Sequence, residues 1–194
     1  MSTNVQATII IVAIIIVGVI FLTIKEKINL KKAATGEDKE KLRNIVSRAV
    51  GDLAGYTVAY ASWEWQTYQG RKTITSYWYF GIAFNADRIH IVPISRTGED
   101  SGKQPYTIER SDVGLVNSKP GQSWVELYDK GQNEIVSLMV LAENTKEDSY
   151  HPVNIIQEEE SKAFVAWKDM WMEQINSANG VTVTGKMKKP VKKR

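Results

Sequence analysis

An uninterrupted apolar run near the N-terminus constrains this 194-residue chain more than any other feature. No residue between Ser2 and Ile24 is charged, and Ala7–Ile24 is almost entirely aliphatic. A helix needs about 20 apolar residues to cross the hydrocarbon core of a bilayer, and its backbone groups must be hydrogen-bonded within the segment. The run therefore predicts one transmembrane helix and a single-pass membrane protein.

The basic residues that follow the run predict its orientation. Lys25, Lys27, Lys31 and Lys32 come after the apolar stretch, and no lysine or arginine precedes it. A cleavable signal peptide has the opposite order, with its positive charge first. By the positive-inside rule the lysine-bearing side is cytoplasmic. The sequence predicts a cell-membrane protein with its N-terminus outside and its soluble domain in the cytoplasm, and an exported domain of opposite topology is the alternative.

Charge and cysteine content limit the classes of function. The chain has no cysteine, which excludes disulfides, thiol nucleophiles and cysteine-based metal sites. Its two histidines, His90 and His151, are far apart in the sequence and do not have the spacing of metal ligands. Basic residues collect beside the apolar run and in the tail from Lys186 to Arg194, and not in the central, acidic part of the chain, so nucleic-acid binding is not expected. With no phosphate-binding loop or catalytic motif, we expect no enzyme, no cofactor and no metal.

Residues 37–55 have helical periodicity. Apolar side chains recur every three or four positions up to Leu53, and Gly51 and Gly55 weaken and then end the helix. This amphipathic stalk helix must cover its apolar stripe. The stripe either packs on the following domain, pairs with a second copy, or lies on the bilayer.

From Tyr56 the hydrophobic period changes to two, which predicts strands. Seven segments separated by short turns are expected to form an antiparallel sheet: YTVAYASWEWQ, RKTITSYWYFGIAF, RIHIVPIS, PYTIER, DVGLVNS, SWVELYD and EIVSLMVLA. A C-terminal helix is predicted from about Asn154 to Asn176, with Asn154 and Gln157 as a capping pair. Its apolar stripe consists of Phe164, Trp167, Trp171 and Ile175.

Seven strands followed by one amphipathic helix resemble the pleckstrin-homology superfold, and several segments add to the resemblance. FNADRIHIVPIS, YTIERSDVGLV and VELYDKGQNEIVSLMVL look like consecutive parts of bacterial pleckstrin-homology-like, GRAM-type domains. The resemblance covers about residues 56–176 and implies a partly open barrel of two sheets that the helix closes at one end. The predicted fold class is mainly β with α, comprising the transmembrane and stalk helices, the seven-stranded barrel or sandwich, and the capping helix.

The predicted organisation has four parts. They are an N-terminal tail and transmembrane helix (1–24), a basic juxtamembrane and stalk segment (25–55), the pleckstrin-homology-like domain (56–178) and a flexible basic tail (179–194).

The predicted function is protein binding, scaffolding or self-assembly at the membrane. Lipid-binding members of the superfold carry a basic cluster on the first hairpin and second strand, where this chain has only Arg71 and Lys72. Recognition of anionic lipid headgroups is the alternative. Its candidate contacts are Lys25, Lys27, Lys31, Lys32, Arg71, Lys72, Lys188, Lys189, Lys192, Lys193 and Arg194.

The aromatic residues of the first two strands are a further candidate for contacts. Trp63, Trp65 and Trp78 are expected in the core, together with Trp171 of the C-terminal helix. Tyr77 and Tyr79 alternate with Trp78 on the opposite face, which is either an exposed aromatic surface for protein contacts or a second buried face.

Overall fold

The computed structural model describes residues 3–69, 72–146 and 151–180, and the side chains from Ile11 onward in these ranges except those of Glu26 and Gln69. In chain order the elements are α1 (Thr3–Thr35), α2 (Glu37–Val50), β1 (Thr57–Gln69), β2 (Lys72–Phe84), β3 (Arg88–Ile94), β4 (Tyr106–Glu109), a 3-10 turn (Arg110–Asp112), β5 (Val113–Asn117), β6 (Trp124–Asp129), β7 (Glu134–Met139), β8 (Glu143–Asn144), β9 (Ile155–Ile156) and α3 (Glu158–Ala178).

The seven predicted strands form one antiparallel sheet in the order β4-β3-β2-β1-β7-β6-β5. The sheet curls into a nearly closed barrel, and α3 lies against it, so this part of the sequence prediction is confirmed. The alternation of apolar and polar residues explains the result, because each strand directs every second side chain into the barrel. Strands β8 and β9 form a separate two-stranded ribbon before α3.

Helix α3 supplies the large side chains that fill the barrel. It begins at Glu158, four residues after the predicted start, and the side chain of Gln157 is used elsewhere in the fold. The indole N–H of Trp171 donates a hydrogen bond of 2.8 Å to the carbonyl of Ala86, which anchors the helix to the β2–β3 turn. The predicted apolar stripe is buried throughout: Phe164, Trp167, Trp171 and Ile175.

Helix α2 covers the outer face of the same sheet. Its residues Leu42, Ile45 and Val46 are buried against β1, β2 and β3, which selects the first of the three expected destinations of the stripe. The helix approaches very closely at Gly81, where an added Cβ would lie 2.5 Å from Cγ2 of Val46. Consequently Tyr79 is buried, and the face opposite the barrel core is a second buried face.

The prediction of a transmembrane helix is wrong. No helix in the described part of the chain is long and apolar enough to cross a membrane. The apolar run ends at Ile24, and Lys25 and Lys27 follow it within the same helix, whereas a span takes about 20 apolar residues. The prediction of a single-pass membrane protein is corrected with it.

The helices also change the predicted fold class. Helix α1 alone spans 33 residues and α3 spans 21, so the chain is mixed α/β and not mainly β. The last turns of α1 are packed on the domain, since Asn29 and Ala33 are buried. Before them the apolar side chains from Ile11 to Ile28 are exposed around the helix.

Candidate protein-interaction surface

The hairpin of β1 and β2 is much longer than the strands beside it. The two strands stay in register from Thr57↔Phe84 to Gln69↔Lys72. Strand β3 pairs only with the Tyr79–Phe84 part of β2, and β7 pairs with β1 only at Ser62. Residues 63–69 and 72–78 therefore project beyond the barrel as a two-stranded ribbon, which we call the hairpin extension.

One face of the hairpin extension continues the inner face of the barrel and is aromatic. Trp63 and Trp78 are directly opposite each other across the two strands. Trp78 is 50% exposed, Ile74 43% and Trp65 38%, and the ammonium group of Lys103 lies 5.1 Å from the ring centroid of Trp78. Exposed clusters of large apolar side chains mark interaction surfaces in soluble domains. We call these four residues, Trp63, Trp65, Ile74 and Trp78, the aromatic face.

The expectation that Trp65 and Trp78 lie in the core is therefore wrong. Alternation places them on the same side as Ala61 and Phe80, which are buried. On β2 the barrel core ends between Phe80, which is buried, and Trp78, which is half exposed. Sequence alternation gives the face of a side chain but not the reach of the elements opposite it.

The other face of the hairpin extension is polar with one prominent aromatic residue. Tyr68 is 75% exposed near the tip. The side-chain amide of Gln66 donates a hydrogen bond of 2.6 Å to the carboxylate of Glu64. Nearer the barrel, Tyr77 packs partly against the cluster under α2.

The backbone edge of β1 changes character along its length. At Tyr60 the buried side-chain amide of Gln157 accepts from the N–H and donates to the C=O, both at 2.8 Å. Two residues further on, Ser62 is paired with β7. Because alternate residues direct their backbone groups to the same side, Glu64, Gln66 and Tyr68 also direct theirs away from β2. No described strand pairs with this part of the edge.

The far edge of the sheet, at β5, is closed by α3. The buried amide of Asn176 donates to the carbonyl of Val116 at 2.9 Å and accepts from its N–H at 3.0 Å. Asn179 donates to the carbonyl of Gly114 at 2.9 Å. These contacts occupy the groups that an incoming peptide strand would need, so strand addition at β5 is blocked. The edge strand β4, only four residues long, offers a short alternative.

A cleft of about 570 Å³ lies between α2, the start of β1 and the start of α3. Part of its charged lining is paired, since Lys39 and Glu160 form a salt bridge of 2.6 Å, and Glu159 pairs with Lys162 at 2.9 Å. The hydrogen bond from Lys162 lowers the pKa of Glu159. Charges of both signs line the cleft, so it does not select an anion or a cation.

The two histidines lie in different structural environments. His90 shares a hydrogen bond of 2.7 Å with the hydroxyl of Thr107, and its ring lies 5.1 Å from that of Tyr56 at a tilt of 54°. Burial, followed by the charge of Arg88, lowers its pKa, and Glu109 opposes this. His151 lies 3.2 Å from the hydroxyl of Tyr60, whose pKa burial raises strongly. Within the described ranges, no three potential ligands are grouped to hold a metal ion.

The candidate lipid contacts lie on separate parts of the chain. Lys25, Lys27, Lys31 and Lys32 are exposed on α1, and Lys72 is exposed where β2 begins. Arg71, Lys188, Lys189, Lys192, Lys193 and Arg194 lie outside the described residues. The structure thus places four of the lysines on one helix and one on the hairpin extension.

The sequence was compared with protein-family models and with curated proteins. No protein-family model matches the chain, and no curated protein sequence is significantly similar to it.

Proposed function

We propose that this chain is a pleckstrin-homology-like, GRAM-type module that binds another protein or a second copy of itself through the hairpin extension. The observation that carries the proposal is the aromatic face, where the side chains of Trp65, Ile74 and Trp78 are exposed on a projecting two-stranded ribbon. Tryptophan and tyrosine are the residues most enriched at the energetic centres of protein interfaces. A binding and scaffolding role follows, without catalysis and without a cofactor.

The barrel itself supports this proposal, because its remaining faces and its β5 edge are covered. The barrel core is filled by α3, the outer face is covered by α2, and the β5 edge is closed by Asn176. A two-stranded ribbon is only marginally stable in water on its own. The hairpin extension is therefore the part of the domain whose stability gains most from a bound partner.

Site-specific photo-crosslinking tests the proposal. A photoreactive phenylalanine analogue replaces Tyr68 in the full chain, and in a control it replaces Gln122, which is exposed in the β5–β6 loop. We expect a discrete crosslinked species from position 68 and none from position 122. Equal yields at the two positions, or none at position 68, would contradict the proposal.

Substitution of the aromatic face provides the matched control. Trp78→Ala is expected to reduce the yield at position 68 about tenfold or more, since removing a central interface tryptophan typically costs 2 kcal/mol or more (about 30-fold). Tyr106→Ala removes an aromatic residue of comparable exposure on β4 and is expected to leave the yield unchanged.

A second candidate function, contact with anionic lipid headgroups, is favoured by one observation. Lys25, Lys27, Lys31 and Lys32 are all exposed on α1, directly after its exposed apolar residues, and each lysine near an anionic surface adds on the order of 1 kcal/mol of attraction. Binding of the full chain to phosphatidylcholine vesicles with and without phosphatidylserine tests it. We expect a preference for the anionic vesicles that disappears when the four lysines are changed to glutamine; equal binding in all cases would rule this function out.

A further inference from the structure

We infer that the partner at the hairpin extension is a second copy of this chain, joined by antiparallel pairing of the β1 edges about Gln66. This inference rests on the proposed function and deepens it by naming the occupant. It would create a continuous four-stranded ribbon, in which the order is β2, β1, the partner's β1 and the partner's β2.

The backbone geometry specifies a strand as the ligand. Tyr60 directs its N–H and C=O groups away from β2, because both are hydrogen-bonded to the side-chain amide of Gln157. Since alternate residues of a strand direct these groups to the same side, the edge residues Glu64, Gln66 and Tyr68 direct theirs away from β2 as well. Rows of backbone groups of this kind on an edge strand are a template for another strand. Natural edges are protected by charges, prolines or bulges, but this one carries only Glu64 and has no proline and no register shift.

The edge is complementary to itself. In an antiparallel pairing with Gln66 opposite the partner's Gln66, Glu64 lies opposite the partner's Tyr68. All three edge residues of each copy are then paired, and the two Glu64 carboxylates do not face each other. Like charges directly opposite each other would destabilise a sheet, so this register is the one that uses the whole edge without a repulsive pair.

The same register joins the two aromatic faces. Residues directly opposite in an antiparallel pair lie on the same side of the sheet. Trp65 therefore packs beside the partner's Thr67, and Trp78 of each copy lies in the flanking strand on the same side. The apolar surface becomes continuous across the two-fold axis.

A second copy also has an entropic advantage over a disordered peptide. Fixing the backbone of each residue costs conformational entropy, and a disordered peptide must meet that cost when it binds. The edge of a second copy is already extended, because β2 holds it over its whole length. Preorganisation of this kind increases affinity.

Single-cysteine crosslinking tests the pairing directly, because the chain contains no native cysteine. The Gln66→Cys substitution places two thiols on residues whose Cα atoms are about 5.5 Å apart in a hydrogen-bonded antiparallel pair, within the range of a disulfide. The matched control is Thr73→Cys, exposed on the outer edge of β2. Three strand spacings place the two control positions at least about 14 Å apart. We expect a disulfide-linked dimer of the full chain in oxidised cells for Gln66→Cys and none for Thr73→Cys.

The register has its own test. When chains carrying Glu64→Cys and Tyr68→Cys are expressed together, we expect mixed disulfides and few pairs of either variant with itself. Adding Gln66→Pro to the Tyr68→Cys chain should reduce the mixed species about tenfold, because proline removes an edge donor without removing a bond to β2. The far-ultraviolet circular dichroism spectrum of that chain should be unchanged, which shows that it is folded.

The outcomes separate this inference from the proposed function. Equal crosslinking of Gln66→Cys and Thr73→Cys, or no dimer from either, would overturn pairing with a second copy. If the photoreactive group at position 68 then still captures a different protein, the proposed function stands and only the identity of the partner is wrong. If it captures nothing, both fail.

Discussion

The two halves of the β1–β2 hairpin share strands, register and alternation, but they differ in what covers them. In the barrel half, Phe80 is 8% exposed, because it packs in the core that α3 fills. Helix α2 covers the opposite face of the same strands. In the hairpin extension, Trp78 lies two residues earlier on the same face and is 50% exposed. The same local sequence pattern thus supports a core in one half and a contact surface in the other.

This difference indicates that burial in the hairpin is decided by the neighbouring elements. Strand β3 leaves β2 at Tyr79, and β7 meets β1 at Ser62 only. The amide of Gln157 continues the sheet's hydrogen bonding at Tyr60. Beyond these contacts, the backbones of the two strands pair only with each other in the described part of the chain.

The largest expected effect is the contrast between Phe80→Ala and Trp78→Ala. Truncating a buried phenylalanine costs about 3–5 kcal/mol of stability, whereas loss of a half-exposed cross-strand aromatic costs about 1 kcal/mol or less. Urea unfolding of the full chain, followed by circular dichroism, measures both. Equal losses would show that the hairpin extension is part of the core.

The next effect concerns the closed β5 edge. Asn176→Ala leaves the buried N–H and C=O of Val116 without their amide partner, and each unsatisfied group costs about 1–3 kcal/mol. The control, Gln66→Ala, removes an exposed amide at the open β1 edge, and we expect its unfolding free energy to change by less than about 0.5 kcal/mol. A stability loss at Gln66 as large as that at Asn176 would erase the distinction between the two edges.

A somewhat smaller effect is expected at Gly81 in the barrel half. Gly81→Ala introduces a Cβ 2.5 Å from Val46 and 3.1 Å from Leu42, and overpacking typically costs about 1–3 kcal/mol. The double variant Gly81→Ala with Val46→Ala tests the cause, because residues in contact show non-additive effects. We expect Val46→Ala to lower the free energy of unfolding less in the Gly81→Ala background than in the unsubstituted chain. Strict additivity would show that α2 does not limit this position.

The smallest effect is a pH dependence confined to the barrel half. The pKa of His90 is lowered in the folded state, chiefly by burial and then by Arg88, with Glu109 acting in the opposite direction. The unfolded chain then binds a proton more readily, so stability is full above about pH 6.5 and falls as the pH decreases through the folded-state value. Thermal unfolding between pH 7.5 and 5 measures this loss, and His90→Asn should remove that part of it. An identical pH dependence in the variant would contradict the assignment to His90.

Much of the fold could be predicted from residue periodicity. All seven strands lie where the period of two indicates, and the stripe from Phe164 to Ile175 of α3 is buried as predicted. These predictions succeed because alternation and helical spacing are local properties of the chain.

The interaction surface could not be predicted in the same way. Trp78 and Phe80 have the same local pattern, and only the end points of β3 and β7 distinguish them. Gln157 and Asn154 have the sequence signature of a helix cap, but Gln157 binds the backbone of Tyr60, 97 residues away. Contacts at such separation are invisible to local periodicity. The apolar run also predicted a transmembrane helix, but no helix in the described residues is long and apolar enough to cross a membrane.

Residue-resolved amide hydrogen exchange of the assembled full chain tests the central claim most directly. The N–H groups of Trp65 and Thr67 face β2, and those of Gln66 and Tyr68 face the open edge. We predict that Gln66 and Tyr68 become protected in the assembled state and lose protection on dilution or with Trp78→Ala, while Tyr60 is protected throughout. Rapid exchange at Gln66 and Tyr68 in the assembled state would contradict a bound strand at the hairpin extension.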